Sequence, residues 1–165
     1  MINDFRLIKG SRQSSFKVLT EFEIKSLLAE IMEIEADTSI FIFNYDRAKG
    51  TGYIDEKDII AVKGDIFPSN IDKVTHPRSI MSSRAVLAHE YYGHRIYRGT
   101  LDQVNSWQDE YRASRTAAEI TPNLTDEERR HLIMDALERK REAGIVPVLD
   151  DFEKKILYGD IKKWQ

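Results

Sequence analysis

The sequence predicts an α+β domain, in which an amphipathic helix and a small antiparallel sheet precede a helical half. Three observations carry this prediction. Ile24, Leu27, Leu28, Ile31 and Ile34 recur at helical spacing just after Thr20 and Glu23, which form a capping-box pair. Residues 39–45 are β-branched and aromatic, the composition of a strand. From about Ser79 onward, caps and helical spacing repeat to the end of the chain. The 165 residues suit one domain spanning 1–165 with a single core, its first 19 residues loosely ordered.

Each element has a local cause. The Gly-Ser-Arg-Gln-Ser-Ser stretch at 10–15 reads as loop. The first helix runs over about 20–36. After the strand at 39–45, residues 46–52 turn the chain at their Gly-Thr-Gly, and 58–63 form a second strand antiparallel to the first. Pro68, Asn70 and Pro77 make 64–78 a loop. Ser82 or Ser83 caps a helix that runs to Arg98 and stops at Gly99. Ser106 with Asp109 opens the next, which ends before Thr121-Pro122. Thr125 with Glu128 is a capping box for a helix ending at Gly144, and a last helical piece covers about 150–158.

Composition removes several function classes. With no cysteine, a disulfide scaffold, a thiolate zinc site, an iron–sulfur cluster and a cysteine nucleophile are all excluded. Any metal chemistry must use His, Asp and Glu, and there are only four histidines. A net charge of -3 gives no strong nucleic-acid signature. The longest apolar run, in 39–43, is far too short for a membrane span, and the N-terminus does not read as a signal peptide, so a cytoplasmic location is expected.

The histidines are informative. Residues 89–94 read His89-Glu90-Tyr91-Tyr92-Gly93-His94, an H-E-x-x-x-H pattern. In H-E-x-x-H zinc proteases, i, i+4 spacing sets both imidazoles on one helix face. Here the spacing is i, i+5, which in a regular α-helix rotates the second imidazole by roughly 140°. Gly93 is the residue type best able to absorb a one-residue bulge, and one wide turn closed by i→i+5 bonds would realign the pair.

His89-Glu90-x-x-Gly93-His94 resembles the H-E-x-x-G-H motif of dipeptidyl peptidase III, a zinc peptidase that carries the same extra residue. That family has a second motif, E-E-C-R-A-E or E-E-C-R-A-D, on a following helix. Asp109-Glu110-Tyr111-Arg112-Ala113-Ser114 is similar to it in the acidic pair, the Arg and the Ala, with Tyr111 in place of Cys and Ser114 in place of the final acid. The resemblance covers residues 89–114 only. It implies a compact zincin-like metallopeptidase domain of gluzincin type. His89, His94 and Glu110 would then be the ligands of Zn2+, Asp109 would orient a ligating His, and a peptide or protein would be the substrate.

The chemistry agrees with that implication. Two neutral imidazoles and one carboxylate leave zinc an open position for a water, whose pKa falls to about 7. Glu90, beside the first ligand, is the expected general base. Asp109 can accept the second N–H of a ligating imidazole, although acids just after Ser106 also suit a helix N-terminus. Tyr92, Tyr111, His76 and Arg112 are candidate donors to a developing oxyanion, and residues 58–63 are a candidate edge for extended substrate. His76 beside Pro77 also reads as a loop residue, His131 as an ordinary helix residue, and the tyrosines and Trp107 as core. Two other classes remain open. One is a domain that zinc staples without catalysis. The other is a metal-free interaction or assembly domain of the kind found in phage or mobile-element proteins.

Overall fold

Thr20 starts the first regular element in a computed structural model of the chain, which describes residues 12–69, 76–98 and 106–159. The Thr20 hydroxyl accepts the Glu23 backbone N–H, and the Glu23 carboxylate accepts that of Thr20, at 3.1 and 3.0 Å. These reciprocal bonds cap α1, Glu21–Glu33, which buries Leu27 and Ile31. Before Thr20, Arg12 ties the chain to the body of the fold. The half-buried Arg12 guanidinium donates to the carbonyls of Asp65, Ile66, Arg78 and Met81 at 2.6–2.8 Å.

The first predicted strand shrinks to β1, Phe41–Phe43, because Asp37 bends the chain ahead of it. Its carboxylate accepts both the backbone N–H and the hydroxyl of Ser39, which closes a 3₁₀ turn over Thr38–Ile40. Two further strands follow, β2 at Gly52–Ile54 and β3 at Ile59–Val62. The sheet order is β1-β3-β2, with β3 parallel to β1 and antiparallel to β2.

This corrects two expectations. The second predicted strand is not antiparallel to the first, because the unforeseen β2 reverses the chain once more. The 58–63 segment cannot offer a free edge to a substrate, since β3 is paired on both sides. Ile60, Ala61 and Val62 are fully buried, as a central strand requires. The edge strands are β1 and β2.

The helical half begins with α2, Pro77–Ile80, a single turn inside the predicted loop, where Pro77 occupies the first position and His76 Nδ1 accepts the Arg78 N–H at 3.2 Å. Ser82, rather than Ser83, caps α3, Ser83–Ala88. A seven-residue π-helix, His89–Arg95, continues from it. The predicted helices at 106, 125 and 150 become α4, Trp107–Ile120, α5, Asp126–Glu142, and α6, Asp151–Tyr158. Their caps are the predicted Ser106 and Thr125, and Asp150 pairs reciprocally with Glu153. Gly144, at a φ of 82°, ends α5 in the left-handed conformation that favours glycine. The predicted stop at Gly99 lies outside the described residues.

The core joins the two halves. Leu27, Ile31 and Ile34 pack with Ile60 and Val62 of β3, with Leu87 of α3, and with Leu132 and Ile133 of α5, all fully buried. Each such side chain stabilises the fold by roughly 1.5–3 kcal/mol. The α4 helix turns Ala113, Ala117 and Ala118 inward, and these small residues let it lie close to both α5 and the π-helix. Among the described residues no helix is long and apolar enough to cross a membrane.

Candidate metal centre

Local chain geometry decides whether His89 and His94 can meet. In the π-helix the Ile96 N–H bonds to the Tyr91 carbonyl, an i→i+5 bond of 3.1 Å. The wider turn brings the two rings to the same face, with Nε2 atoms 3.1 Å apart and ring planes 80° to one another. On the other side of this element the Tyr91 ring stacks on Phe41, and Tyr92 donates its hydroxyl to the Ile34 carbonyl at 2.6 Å. The π-helix is thereby fastened to β1 and to the end of α1.

Gly93 serves a different purpose from the one its position in the motif suggested. Its φ is not positive, so the bulge itself does not demand glycine. The demand is steric. A Cβ on Gly93 would lie 2.5 Å from the Ala113 carbonyl oxygen and 2.8 Å from its carbon, so only glycine lets α4 come this close. That approach delivers Glu110 and Ser114 of α4 to the two histidines.

Glu110 completes the cluster. Its Oε2 lies 3.0 Å from His89 Nε2 and its Oε1 lies 3.3 Å from His94 Nε2. Glu90 Oε1 stands 4.0 Å from His94 Nε2 and accepts the Tyr53 N–H of β2 at 3.3 Å. His89, Glu90 and Asp109 are buried, and His94 and Glu110 nearly so. His89, Glu90 and His94 by themselves form a group that could hold a metal ion, their ligand atoms all within 4.8 Å of one another.

Proton counting fixes which ring atoms face the centre. A carboxylate only accepts, so His94 Nδ1, 3.3 Å from Asp109 Oδ2, carries a hydrogen. The Ser114 hydroxyl is 2.6 Å from Asp135 Oδ2 and must donate to it. Its oxygen then accepts from His89 Nδ1 at 2.8 Å. With both Nδ1 atoms so engaged, both Nε2 atoms are left facing the Glu110 carboxylate. Two ring nitrogens and a carboxylate converge there, and a proton or a metal ion between them satisfies all three.

Without a metal, a proton meets the demand. Burial works to lower the His94 pKa, but the hydrogen bonds its ring donates to Asp109 and Glu110 and the charge of Glu90 outweigh it and hold His94 up at about 10. Burial likewise works to raise Glu110, yet the two imidazoles keep it well below the usual carboxylate range. The residues also fit zinc. Two imidazole nitrogens and a carboxylate oxygen are a donor set zinc accepts, and ligands about 2.0–2.1 Å from a tetrahedral zinc are roughly 3.3 Å apart. The Nε2–Nε2 separation of 3.1 Å is close to that edge, and each imidazole faces its own Glu110 oxygen, Oε2 at 3.0 Å from His89 and Oε1 at 3.3 Å from His94.

The candidate oxyanion donors are held elsewhere. Tyr92 is committed to Ile34, and the Tyr111 hydroxyl donates to Glu153 at 2.6 Å, both stronger commitments than the sequence indicated. His76 caps α2 and keeps company with Glu138 and Glu142, a separate group. Arg112 stays near the centre but faces away from it into structure, donating to Asp109 Oδ1 at 2.7 Å and to the Gly93 carbonyl at 3.0 Å. It thus ties Asp109 to the π-helix. His131 lies 3.8 Å from Glu127 along α5, as an ordinary helix residue would.

Sequence reasoning missed Ser114, Asp135 and Arg139. Ser114 was within the second motif but lacked the acid expected there. Asp135 and Arg139 are an i, i+4 pair on α5, and their link to the centre exists only once α4 and α5 pack. Tyr53 was missed because β2 was. Comparison with protein-family models, with curated proteins and with solved structures gives no match to this chain, so the two short motifs and the geometry around them carry the functional reading.

Proposed function

We propose that the chain is a zinc-dependent metallopeptidase that hydrolyses a peptide or protein substrate. One observation carries this reading: His89 Nε2 and His94 Nε2 converge on the Glu110 carboxylate at 3.0–3.3 Å, with Glu90 alongside. His89, His94 and Glu110 would hold the ion. Bound zinc supplies a Lewis acid for the scissile carbonyl and lowers the pKa of an attacking water.

The chain's own groups do the rest. Glu90 takes the proton of the water and returns it to the leaving nitrogen, a role its place beside both imidazoles supports. Asp109 holds the His94 ring through Nδ1, and Arg112 anchors Asp109. The sheet edge nearest the centre is β2, whose Tyr53 N–H faces Glu90. An extended peptide laid along that edge would bring its carbonyl towards the cluster.

Glu90→Gln tests the reading. Hydrolysis of a peptide library should fall to background while one equivalent of zinc stays bound. If the purified protein holds no stoichiometric transition metal and Glu110→Ala changes nothing, the reading is wrong. A zinc-stapled domain without catalysis is the second reading. It is favoured by the nearness of Glu90 to His94 Nε2, which would let Glu90 act as a fourth ligand and close the site. In that case Glu90→Gln would weaken zinc binding, and there would be no hydrolysis to lose.

A further inference from the structure

Helix α5 carries none of the residues read as ligands, yet it reaches the centre through α4. Ser114 is fully buried on α4 and Asp135 is 1% exposed on α5. Their bonds run in series, His89 Nδ1 to Ser114 Oγ at 2.8 Å and Ser114 Oγ to Asp135 Oδ2 at 2.6 Å. We propose that Ser114 and Asp135 form a hydroxyl–carboxylate relay that locks His89 with Nδ1 protonated and Nε2 aimed at the metal, so that both are positioning residues for the site. This inference rests on the reading of His89 as a ligand.

The argument is one of alternatives. A serine alone could donate to His89 Nδ1, which would place the ring hydrogen on Nε2 and leave no lone pair for an ion. Asp135 removes that option, because it can only accept and it takes the Ser114 hydrogen. The carboxylate must stay charged to do so in a fully buried place. Arg139 Nε at 3.4 Å and Arg78 Nε at 3.8 Å from Asp135 Oδ1 supply the compensating charge. Burial works to raise Asp135, and these two cations, His89 and Ser114 nevertheless bring it below the ordinary value.

A buried ionic cluster is a costly way to join two helices, since apolar residues of similar volume commonly stabilise a contact as well or better. Its place directly behind a ring nitrogen gives it another use. The two histidines are thus held alike in chemistry and differently in structure. Asp109 reaches His94 directly, whereas Asp135 reaches His89 through a hydroxyl borrowed from the intervening helix.

The experiment compares the wild type with Ser114→Ala and Ser114→Thr. Zinc affinity is measured by competition with a chelator, and the ring nitrogens are followed by imidazole ¹⁵N NMR, with His89 assigned from a His89→Gln spectrum. Ser114→Ala should weaken zinc binding about 10- to 100-fold, and Ser114→Thr, which keeps the hydroxyl, should restore most of it. In the metal-free wild type, His89 should be protonated on Nδ1, and Ser114→Ala should lose that preference. Equal zinc affinity in Ser114→Ala, or a wild-type His89 protonated on Nε2, overturns the relay. A wild type that binds no zinc defeats the metallopeptidase reading instead, and the tautomer then still decides the relay. A purely structural role would lower the melting temperature and leave affinity and tautomer alone.

Discussion

Among the described residues, two histidine–carboxylate clusters that could hold an ion lie in the helical half, and they differ in where their arginines sit. At His76, Glu138 and Glu142 the ligand atoms also come within 4.8 Å of one another. There the Arg78 guanidinium pairs with Glu142 and stands 3.5 Å from His76 Nε2, while Arg141 pairs with Glu138 at 3.1 Å. Each carboxylate already has its cation. At His89, His94 and Glu110, by contrast, Arg112 serves Asp109, and Arg139 lies 3.5 Å from Glu110 Oε2, farther than His89 does. Similar side chains thus make an internally neutral surface cluster in one place and a centre short of positive charge in the other. The two clusters differ less in donor identity than in the charge left unmatched.

The largest effect that this contrast predicts is on metal uptake. His94→Ala should abolish stoichiometric zinc binding, and His76→Ala should leave one bound equivalent untouched. Metal analysis of the two purified variants checks this. Equal loss in both, or retention in both, would erase the distinction between the clusters.

The second prediction concerns pH and has opposite signs at the two clusters. His94 in the metal-free protein is held at about 10, above the ordinary 6.5 of an unfolded chain. A raised pKa means that the charged ring stabilises the fold fully below pH 6.5 and that the contribution fades as pH climbs towards 10. Its full size is on the order of 5 kcal/mol. His76 is pushed down, by burial first and by Arg78 second, so its neutral form suits the fold and stability falls as pH drops below its ordinary value. Chelator-treated protein should therefore lose stability to urea between pH 7 and 10, and zinc-loaded protein should not. A flat profile for the chelated protein would mean that no proton stands in for the metal.

The same contrast explains how much was legible in the sequence. Thr20, Ser106 and Thr125 fix helix starts through bonds to residues three positions on, so a local reading finds them. The three residues of β2 begin on the last glycine of the Gly-Thr-Gly stretch and end at the acidic 55–58 stretch, too short to show alternation. Once β2 was missed, the direction of β3 followed wrongly. At the centre, His89, Glu90, His94 and Glu110 were visible because two motifs with fixed spacing contain them. The steric reason for Gly93 was not visible, because it lies in the Ala113 backbone of another helix. Nor was Asp135, whose carboxylate acts 46 positions from His89 in the sequence, a separation no periodicity encodes.

The smallest predicted effect would convert one cluster towards the other. Arg78→Gln removes the guanidinium shared by Glu142 and the His76 side, and leaves His76, Glu138 and Glu142 with unmatched negative charge; because it also withdraws Arg78 from Asp135, the first equivalent is measured in the same variant as the reference. These three groups are only half-buried, so water can replace much of what Arg78 supplied, and any new affinity must be far weaker than at the buried centre. A second equivalent of zinc should bind with a Kd at least about 1,000-fold above the first, a gap of roughly 4 kcal/mol. Calorimetric titration resolves the two events. If Arg78→Gln binds a second ion as tightly as the first, then burial and the surrounding carboxylates contribute little to the first site, and the placement of arginines is the whole of the difference. If no second event appears at millimolar zinc, removing a matched cation is not enough, and an inward-facing pair of imidazoles is needed as well.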